Sequence, residues 1–486
     1  MGTEYTEVER PAIEILKGLG YRYISPEENA AEREELNHVI LQDTFLKSVQ
    51  RINGIDADTA RAVYADLLQI TDNERWTHVL RGDYSRNVPG QTQKKTIRLI
   101  DFKNAGNNTF TVTSQFKVQA EKNRIADLVC FINGIPLVVI EAKSPFSQKS
   151  RAGEAFDQIK QYERDIPRLF YSNLFNIITD SDFVLYGATG AASQYWGRWR
   201  DPWPKEEKDF HSPLALGLYS LLEPSRLLDI LAHFVVFETD DNQTIKKMCR
   251  YQQYRAVNRI VERVLENRPP GERQGLVWHT QGSGKSLTMV FTALKLKTHL
   301  TLDNPVLASP NILVLTDRID LDDQISKTFQ NCGMRNPERV GGRLISNDEE
   351  DQKKNPDQVA DRGELNRRIH GDLNGLTLLS TIFKFEGSEK AVENSANWIL
   401  LVDECHRTQE KDLGAYLRMT FPDAYFFGFT GTPIKKTDKD TYRNFSPPGE
   451  AYLDKYSIDD AVADGATIPI KYTSRMVNWH VDPSQL

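Results

Sequence analysis

The sequence predicts an α/β chain in two parts, a mixed sheet flanked by helices and then a parallel sheet carrying a glycine-rich phosphate loop. Three observations predict it. Ile312–Thr316, Leu376–Ser380, Trp398–Val402 and Tyr425–Phe429 are short, nearly continuous apolar runs, as in parallel strands buried on both faces. Gly275–His279 leads into Thr280-Gln281-Gly282-Ser283-Gly284-Lys285-Ser286 and then a helix over Ser286–Leu300, a strand–loop–helix unit. Upstream, Leu128–Ile132 and Ile135–Glu141 flank Asn133-Gly134, the strongest short hairpin signal.

The remaining elements follow from periodicity. Glu7–Leu19 reads as an amphipathic helix stopped by Gly20, and residues 30–70 read as helical. In Thr109–Val118, Phe110, Val112, Phe116 and Val118 alternate with polar residues, which indicates a strand. Glu154–Glu163 is helical, and Phe175–Thr179 and Phe183–Tyr186 are strands. Ala191–Pro213, rich in Trp and Pro, reads as a linker whose Trp196, Trp199 and Trp203 can pack the two parts together. Helical segments follow over 214–267, ended by Arg268-Pro269-Pro270-Gly271. The acidic stretch Asn347–Asp361 reads as a solvated insertion. The expected organisation is a first domain over 1–213, a helical connector over 214–270, a second domain over 271–470 and the start of a further link over 471–486.

A chain of 486 residues is too long for one core. No apolar run approaches the roughly 18 residues of a membrane helix. Cys130, Cys249, Cys332 and Cys405 are scattered, with no C-x-x-C pair, so neither a disulfide framework nor a zinc site is indicated and a reducing cytoplasm fits. A net charge of −7 argues against coating nucleic acid through bulk charge, though a local basic groove remains open.

Two constellations carry chemistry. In the first, the glycines of Gly282-Ser283-Gly284 let backbone amides face a phosphate, the helix N-terminus favours negative charge, Lys285 reaches the outer phosphates and the Ser286 hydroxyl can hold Mg²⁺. His279 stands where such loops begin with glycine. Downstream, Asp403 ends the strand Leu400-Leu401-Val402, where Mg²⁺ needs its second protein anchor, and Glu404 beside it can orient and deprotonate a water. The bland alternatives are a glycine turn before a surface helix and an acidic helix cap. In the second constellation, the hairpin brings Asp127 and Glu141-Ala142-Lys143 to one end of a sheet. Two close carboxylates repel unless they share a cation, and Mg²⁺ there can activate a water at a scissile phosphate. Gln158 and Tyr162 share a face of the following helix. Here the bland readings are surface charge and a polar helix face.

Asp403-Glu404-Cys405-His406 resembles the D-E-x-H box of superfamily 2 helicases and translocases, and Thr430-Gly431-Thr432-Pro433 is similar to their motif III, which couples hydrolysis to DNA movement through His406, Thr430 and Thr432. Arg250-Tyr251-Gln252 resembles the adenine-reading glutamine motif, with Gln252 the reader and Gln253 its rival. Thr316-Asp317-Arg318 and Ser380-Thr381 resemble motifs Ia and Ib, implying DNA-backbone contacts at Arg318 and Thr381. The resemblance implies a RecA-like lobe binding ATP and Mg²⁺, with Thr280, Gly282, Ser283, Gly284, Lys285, Ser286 and Asp403 around the nucleotide. Asp127…Glu141-x-Lys143 resembles the PD-(D/E)xK nuclease core, and Gln158-x-x-x-Tyr162 the added motif of its RecB-like branch. That family often adds an acidic residue from the first helix; Glu9 is the candidate, with Glu4, Glu7 and Glu14 as rivals.

The order nuclease-then-motor resembles the restriction (R) subunit of type I restriction–modification enzymes. The resemblance implies cutting of unmethylated double-stranded DNA after ATP-driven translocation, with methyltransferase (M) and specificity (S) subunits as partners. The alternatives are another nuclease–helicase, of type III or RecB-like repair kind, and a non-catalytic DNA-binding scaffold. Because the sequence shows no Q-x-x-G-R-x-x-R motif of a second lobe, the 486-residue chain alone is expected to bind ATP weakly and to hydrolyse it poorly.

Overall fold

The computed structural model describes residues 5–90, 92–144, 151–180, 182–240, 243–303, 309–317, 319–332, 362–371, 375–385, 390–406, 413–433 and 441–468. Seven strands form the N-terminal sheet, lying side by side in chain order: β1 (Arg22–Ile24), β2 (Phe110–Val118), β3 (Arg124–Ile132), β4 (Ile135–Ala142), β5 (Phe175–Thr179), β6 (Val184–Ala188) and β7 (Gly197–Arg198). β1–β2 and β4–β5 are parallel and the other pairs antiparallel, so the sheet is mixed as expected.

The β3–β4 hairpin organises this half. Asn133 (φ +52°) and Gly134 (φ +78°) are both left-handed, as a two-residue hairpin turn requires. Gly134 is needed for space as well, since a Cβ there would sit 2.4 Å from the Leu41 carbonyl oxygen. Alternate residues of the hairpin enter two different cores. Leu128, Cys130, Ile132 and Ile140 pack with α1 (Arg10–Gly18) and with residues of the helices Gln42–Asn53 and Ala57–Leu67. Val129, Phe131 and Val139 pack with Ala155, Ile159 and Tyr162 of α2 (Arg151–Asp165). The expected continuous helical region over 30–70 is in fact broken: irregular chain separates the helix Pro26–Ala31 from Gln42–Asn53, and Gly54 (φ +59°) ends the latter.

Two expectations for the middle of the chain are corrected. Residues 191–213 are not a free linker: β7 lies at one edge of the N-terminal sheet, and Trp199 is buried between Tyr186 and Tyr254, ring centroids 5.6 and 5.4 Å away. Residues 214–267 are not wholly helical. After α3 (Pro213–Leu222) and α4 (Pro224–His233) comes an antiparallel ribbon, β8 (Val235–Asp240) and β9 (Gln243–Met248), before α5 (Tyr251–Leu265). Val235-Val236-Phe237 is β-branched and aromatic, a composition that favours extended chain. The ribbon clasps the N-terminal half: Lys246 donates to Asn73 Oδ1 (2.9 Å) and the Asn173 carbonyl (2.8 Å), and Arg81 donates to the carbonyls of Leu231 and Val235 (2.7 Å each).

The second sheet is six-stranded and entirely parallel: β10 (Gln274–His279), β11 (Asn311–Thr316), β12 (Thr377–Thr381), β13 (Trp398–Val402), β14 (Tyr425–Thr430) and β15 (Asp454–Tyr456), in spatial order β12-β11-β13-β14-β10-β15. The crossovers include α6 (Lys285–Asp303), which starts at the phosphate loop. This is the RecA-like arrangement expected. β15 was not anticipated, being short and bearing Asp454 and Lys455. The acidic stretch 347–361, Arg318 and residues 471–486 lie outside the described residues. The four cysteines are buried and in no disulfide, and among the described residues no helix is long and apolar enough to cross a membrane.

Gly134→Ala should destabilise the chain by about 2 kcal/mol or more, since it adds a left-handed alanine and a clash with backbone. A urea-unfolding midpoint close to that of the parent would contradict this account of the hairpin.

Candidate functional site

At the end of the hairpin away from its turn, the register Leu128↔Ile140 places Asp127 across from Glu141. Asp127, Glu141 and Lys143 share the parity of Val129 and Val139, so their side chains face α2, the helix that carries Gln158 and Tyr162. Lys143 links Glu141 to the helix, and Asp127 is held by backbone beside it. Asp127 Oδ2 accepts the Ala142 amide (2.9 Å). Lys143 Nζ donates to Glu141 Oε1 (2.5 Å) and to Gln158 Oε1 (2.9 Å), Gln158 Nε2 donates to the Tyr162 hydroxyl (2.5 Å), and that hydroxyl donates to the Ile125 carbonyl (2.8 Å).

Glu141 is fully buried. Burial first, then the neighbouring Asp127 carboxylate, push its pKa well above the usual carboxylate range despite the opposing Lys143 ammonium. Its Oε2 is buried with no hydrogen-bond partner among the described residues. Those residues hold no cluster of three or more His, Cys, Asp or Glu placed to bind a metal. Mg²⁺, however, commonly takes one or two carboxylates and completes its octahedron with water and substrate phosphate. An unpaired buried carboxylate oxygen beside a second carboxylate fits that ion.

Among the first-helix acids, Glu9 is the one bonded to Gln115, the residue across from Asp127. It is buried and accepts Gln115 Nε2 at 3.1 and 3.3 Å, whereas Glu7 is exposed, Glu14 pairs with Lys17 on the surface and Glu4 lies outside the described residues. Gln115 was not singled out from the sequence. It stands across from Asp127, between the pairs Ser114↔Leu128 and Phe116↔Ala126, with φ +50° in the middle of β2. Its partner becomes visible only once the β2–β3 register is known.

The second cluster surrounds the glycine loop. Gly282 (φ +81°) and Gly284 (φ +84°) need glycine's backbone freedom. Lys285 and Ser286, both partly buried, open α6. Ser283 is buried, and its Oγ has no partner among the described residues. Asp403 follows β13, with its amide bonded to the Leu315 carbonyl (2.8 Å). Burial, then the Glu404 carboxylate, raise it to about 6, against the pull of Lys285. Its Oδ1 also lacks a partner among the described residues, so Asp403 and Ser286 offer Mg²⁺ suitable oxygens. Glu404 sits on a left-handed backbone (φ +44°), 3.8 Å from Lys285 Nζ and 3.3 Å from His406 Nδ1. His406 Nδ1 is 2.9 Å from the Thr430 hydroxyl, which accepts the Thr432 amide at 3.1 Å. The structure therefore brings the D-E-x-H run and the Thr430–Thr432 turn together.

The glutamine pair is divided. Gln253 Oε1 accepts the Arg250 amide (2.8 Å) and its Nε2 donates to the Gly284 carbonyl (3.1 Å), so it ties the loop to α5. Gln252 is buried, with Oε1 unpartnered among the described residues. Thr280 turns its amide to the Tyr456 carbonyl (2.9 Å) on β15 rather than into the loop. Thr381, the last residue of β12, is buried. His279 is also buried, with its Nε2 2.7 Å from Asp454 Oδ2. Asp454 further binds Arg255 Nε (2.6 Å) and Nη2 (3.1 Å). Burial alone would raise the Asp454 carboxyl, but the His279 hydrogen bond and the Arg255 charge outweigh it and hold it below the usual range.

A RecA-like ATPase lobe preceded by a mixed-sheet domain with an Asp–Glu–Lys cluster around a buried Glu141 is the class of protein that fold and sites define. Residues 252–486 match the SWI2/SNF2 ATPase family, and residues 1–195 match the type I restriction enzyme R protein N terminus (HSDR_N). The chain belongs to the type I restriction enzyme R-subunit family and corresponds to its N-terminal part. It is 33% identical over 507 residues to the type I restriction enzyme HindI endonuclease subunit of Haemophilus influenzae, covering 96% of this chain and 46% of that protein. It is 30% identical over 522 residues to a Methanocaldococcus jannaschii chain named for the MjaIXP type I endonuclease subunit, covering 98% and 46%. The chain thus spans about half the length of these relatives. An ATPase family implies ATP as the nucleotide.

Asp454→Ala leaves Arg255 and His279 facing each other without their carboxylate. It should cost about 3–5 kcal/mol, read as a lower urea midpoint; a change below about 1 kcal/mol would show that the triad contributes little.

Proposed function

We propose that this chain is the nuclease and first motor lobe of a cytoplasmic, ATP-driven type I restriction enzyme. It would act on unmethylated double-stranded DNA together with methyltransferase and specificity subunits. The nuclease is assigned to residues 1–213, the connector to 214–270 and the motor lobe to 271–470. The observation that carries this reading is the pairing, in one chain, of two carboxylate sites that each hold a buried oxygen without a partner among the described residues, one at a hairpin end and one beside a glycine loop. The order of the two sites also favours this reading over type III-like enzymes, in which the nuclease follows the motor.

In the nuclease, Asp127 and Glu141 would hold the metal, with Glu9 at its flank. Mg²⁺ there would supply Lewis acidity at the scissile phosphate and a water of lowered pKa. Lys143, oriented by Gln158 and Tyr162, places its ammonium against the phosphate charge that grows during attack. In the motor, Gly282, Ser283 and Gly284 present backbone to the phosphates, Lys285 reaches the outer ones, and Ser286 and Asp403 hold the ion. Glu404 orients the attacking water, and Gln252 reads the adenine. His406 links that centre to Thr430 and Thr432, which carry the hydrolytic state toward DNA held at Arg318 and Thr381.

In the complete assembly, Asp127→Ala should abolish DNA cutting and leave DNA-stimulated ATP hydrolysis intact; loss of both activities would refute the modular assignment. Lys285→Ala should abolish ATP hydrolysis and, with it, cutting of unmodified DNA, and normal cutting by that variant would sink the coupled scheme. On the chain itself, Mn²⁺ titrated calorimetrically should bind, and Glu141→Gln should weaken that binding at least about tenfold. Equal binding by the variant would move the metal site elsewhere.

A further inference from the structure

We infer that Arg200 and Asp201, in the segment that closes the N-terminal sheet, are positioning residues for the phosphate loop and act on it through the edge strand β15. Two chains of contacts leave these neighbouring residues and end at neighbouring residues of the loop's entry. In the first, Asp201 pairs with Arg255, Arg255 Nε donates to Asp454 Oδ1 (2.6 Å), and Asp454 Oδ2 meets His279 Nε2 (2.7 Å). In the second, Arg200 Nε lies 2.8 Å from Asp464 Oδ1, Asp464 Oδ2 accepts the hydroxyl of Tyr456 (2.9 Å), and the Tyr456 carbonyl accepts the Thr280 amide (2.9 Å).

A third path reaches the far end of the same loop. Arg250 Nη2 donates to the Tyr195 carbonyl (3.2 Å), the Arg250 amide donates to Gln253 Oε1 (2.8 Å), and Gln253 Nε2 holds the Gly284 carbonyl (3.1 Å). Arg250 also runs so close over Gly197 that a Cβ there would overlap the guanidinium. Both stems of the loop are thereby referred to residues 195–201 of the N-terminal half.

The strand between them is held by the buried Tyr456 ring on one side and by charge at Asp454 on the other. β15 is three residues long and pairs with β10 alone, so it is an edge. Asp454 is fully buried, and the position of its carboxylate is set by the cations around it, Arg255 and, at 3.3 Å, Arg259. A buried ion pair fixes geometry strongly because removing one partner leaves the other charge uncompensated. Asp201 lies at the partly exposed outer end of this arrangement. Changing it alters where Arg255 sits without emptying the core.

The inference rests on the assignment of the glycine loop as the nucleotide site. Its test uses the N-methylanthraniloyl derivative of ATP with this chain, followed by fluorescence. Arg200→Gln and Asp201→Asn should each weaken binding about fivefold or more, the scale of an ordinary coupling between sites. Asp201→Glu should restore the parent affinity, and the unfolding midpoints of all three should match the parent. Because linkage is reciprocal, adding the nucleotide should slow amide hydrogen exchange at residues 195–201 in the parent but not in Asp201→Asn. Parent-like affinity in either substituted chain, a weakening that Asp201→Glu does not relieve, or exchange at 195–201 that ignores the nucleotide overturns the inference. A parent chain that binds no nucleotide refutes the assignment of the loop itself, and the inference with it, a result read on the unsubstituted protein and so distinct from the others.

Discussion

A carboxylate taken out of water costs several kcal/mol unless positive charge or hydrogen-bond donors meet it. The chain bears that cost at the end of a central strand in each sheet. Glu141 is buried beside Asp127, and Asp403 is buried beside Glu404. In each place one lysine faces two carboxylates. Lys143 is bonded to Glu141, yet Glu141 is still pushed upward, and Lys285 stands at ion-pair distance from Glu404 while Asp403 rises to about 6. One ammonium does not balance two carboxylates in a poorly solvated site, so both clusters retain a demand for positive charge. A divalent cation would meet that demand, and the rest of the fold holds the carboxylates close enough for the demand to exist.

The scaffold is rigid where the demand is greatest. The Asn133-Gly134 turn starts the hairpin, a one-residue bulge between Pro136 and Val138 then shifts its register, and the shifted register sets Asp127 across from Glu141, with strand parity pointing both at α2. A slip of one residue would turn all three charged groups toward the other core. Between the halves, one continuous apolar core runs from the N-terminal sheet through α3, α4 and α5 into β10 and α6. Lys246, buried, and Arg81, partly buried, add bonds to backbone carbonyls across that junction, neither paired with a carboxylate in those contacts. Such polar bridges in an apolar interface specify one docking geometry, because any other would leave the groups unsatisfied.

Most of the motor sheet was legible because parallel strands buried on both faces are written as unbroken apolar runs; Trp398–Val402 was read with the bounds the structure has. β15 was not legible, since Asp454-Lys455-Tyr456 is apolar at one position in three and its buried Asp454 depends on ion pairs with residues almost two hundred positions earlier. The ribbon over 235–248 was hidden for a related reason: Lys246 is buried there, against the ordinary preference of lysine. At the nuclease-like cluster, spacing, apolar surroundings and a family resemblance together pointed to Asp127, Glu141, Lys143, Gln158 and Tyr162; in the structure Glu141, Lys143, Gln158 and Tyr162 are hydrogen-bonded in series, and Asp127 accepts the neighbouring Ala142 amide. Gln115 could not be picked, because its relation to Asp127 and Glu9 depends on a strand register and a left-handed backbone that no local pattern announces.

His279 shows how a departure from a motif can be absorbed. Glycine at the head of a phosphate loop is required only where a side chain would crowd the loop or where the backbone must turn left-handed. At this position the chain is still the last residue of β10, in register with Tyr456, and its side chain points into the protein to meet Asp454. The left-handed turns come later, at Gly282 and Gly284, where glycine is kept. A histidine is therefore sterically admissible at the head, and it adds something glycine lacks, a side-chain bond from the stem of the loop to the edge strand. The freedom the loop needs for phosphate is confined to the residues between two anchored ends, His279 with Thr280 on one side and the Gly284 carbonyl on the other. A loop anchored so close to its ligand-facing residues has less conformational entropy to lose on binding, which favours affinity through preorganisation rather than through added contacts.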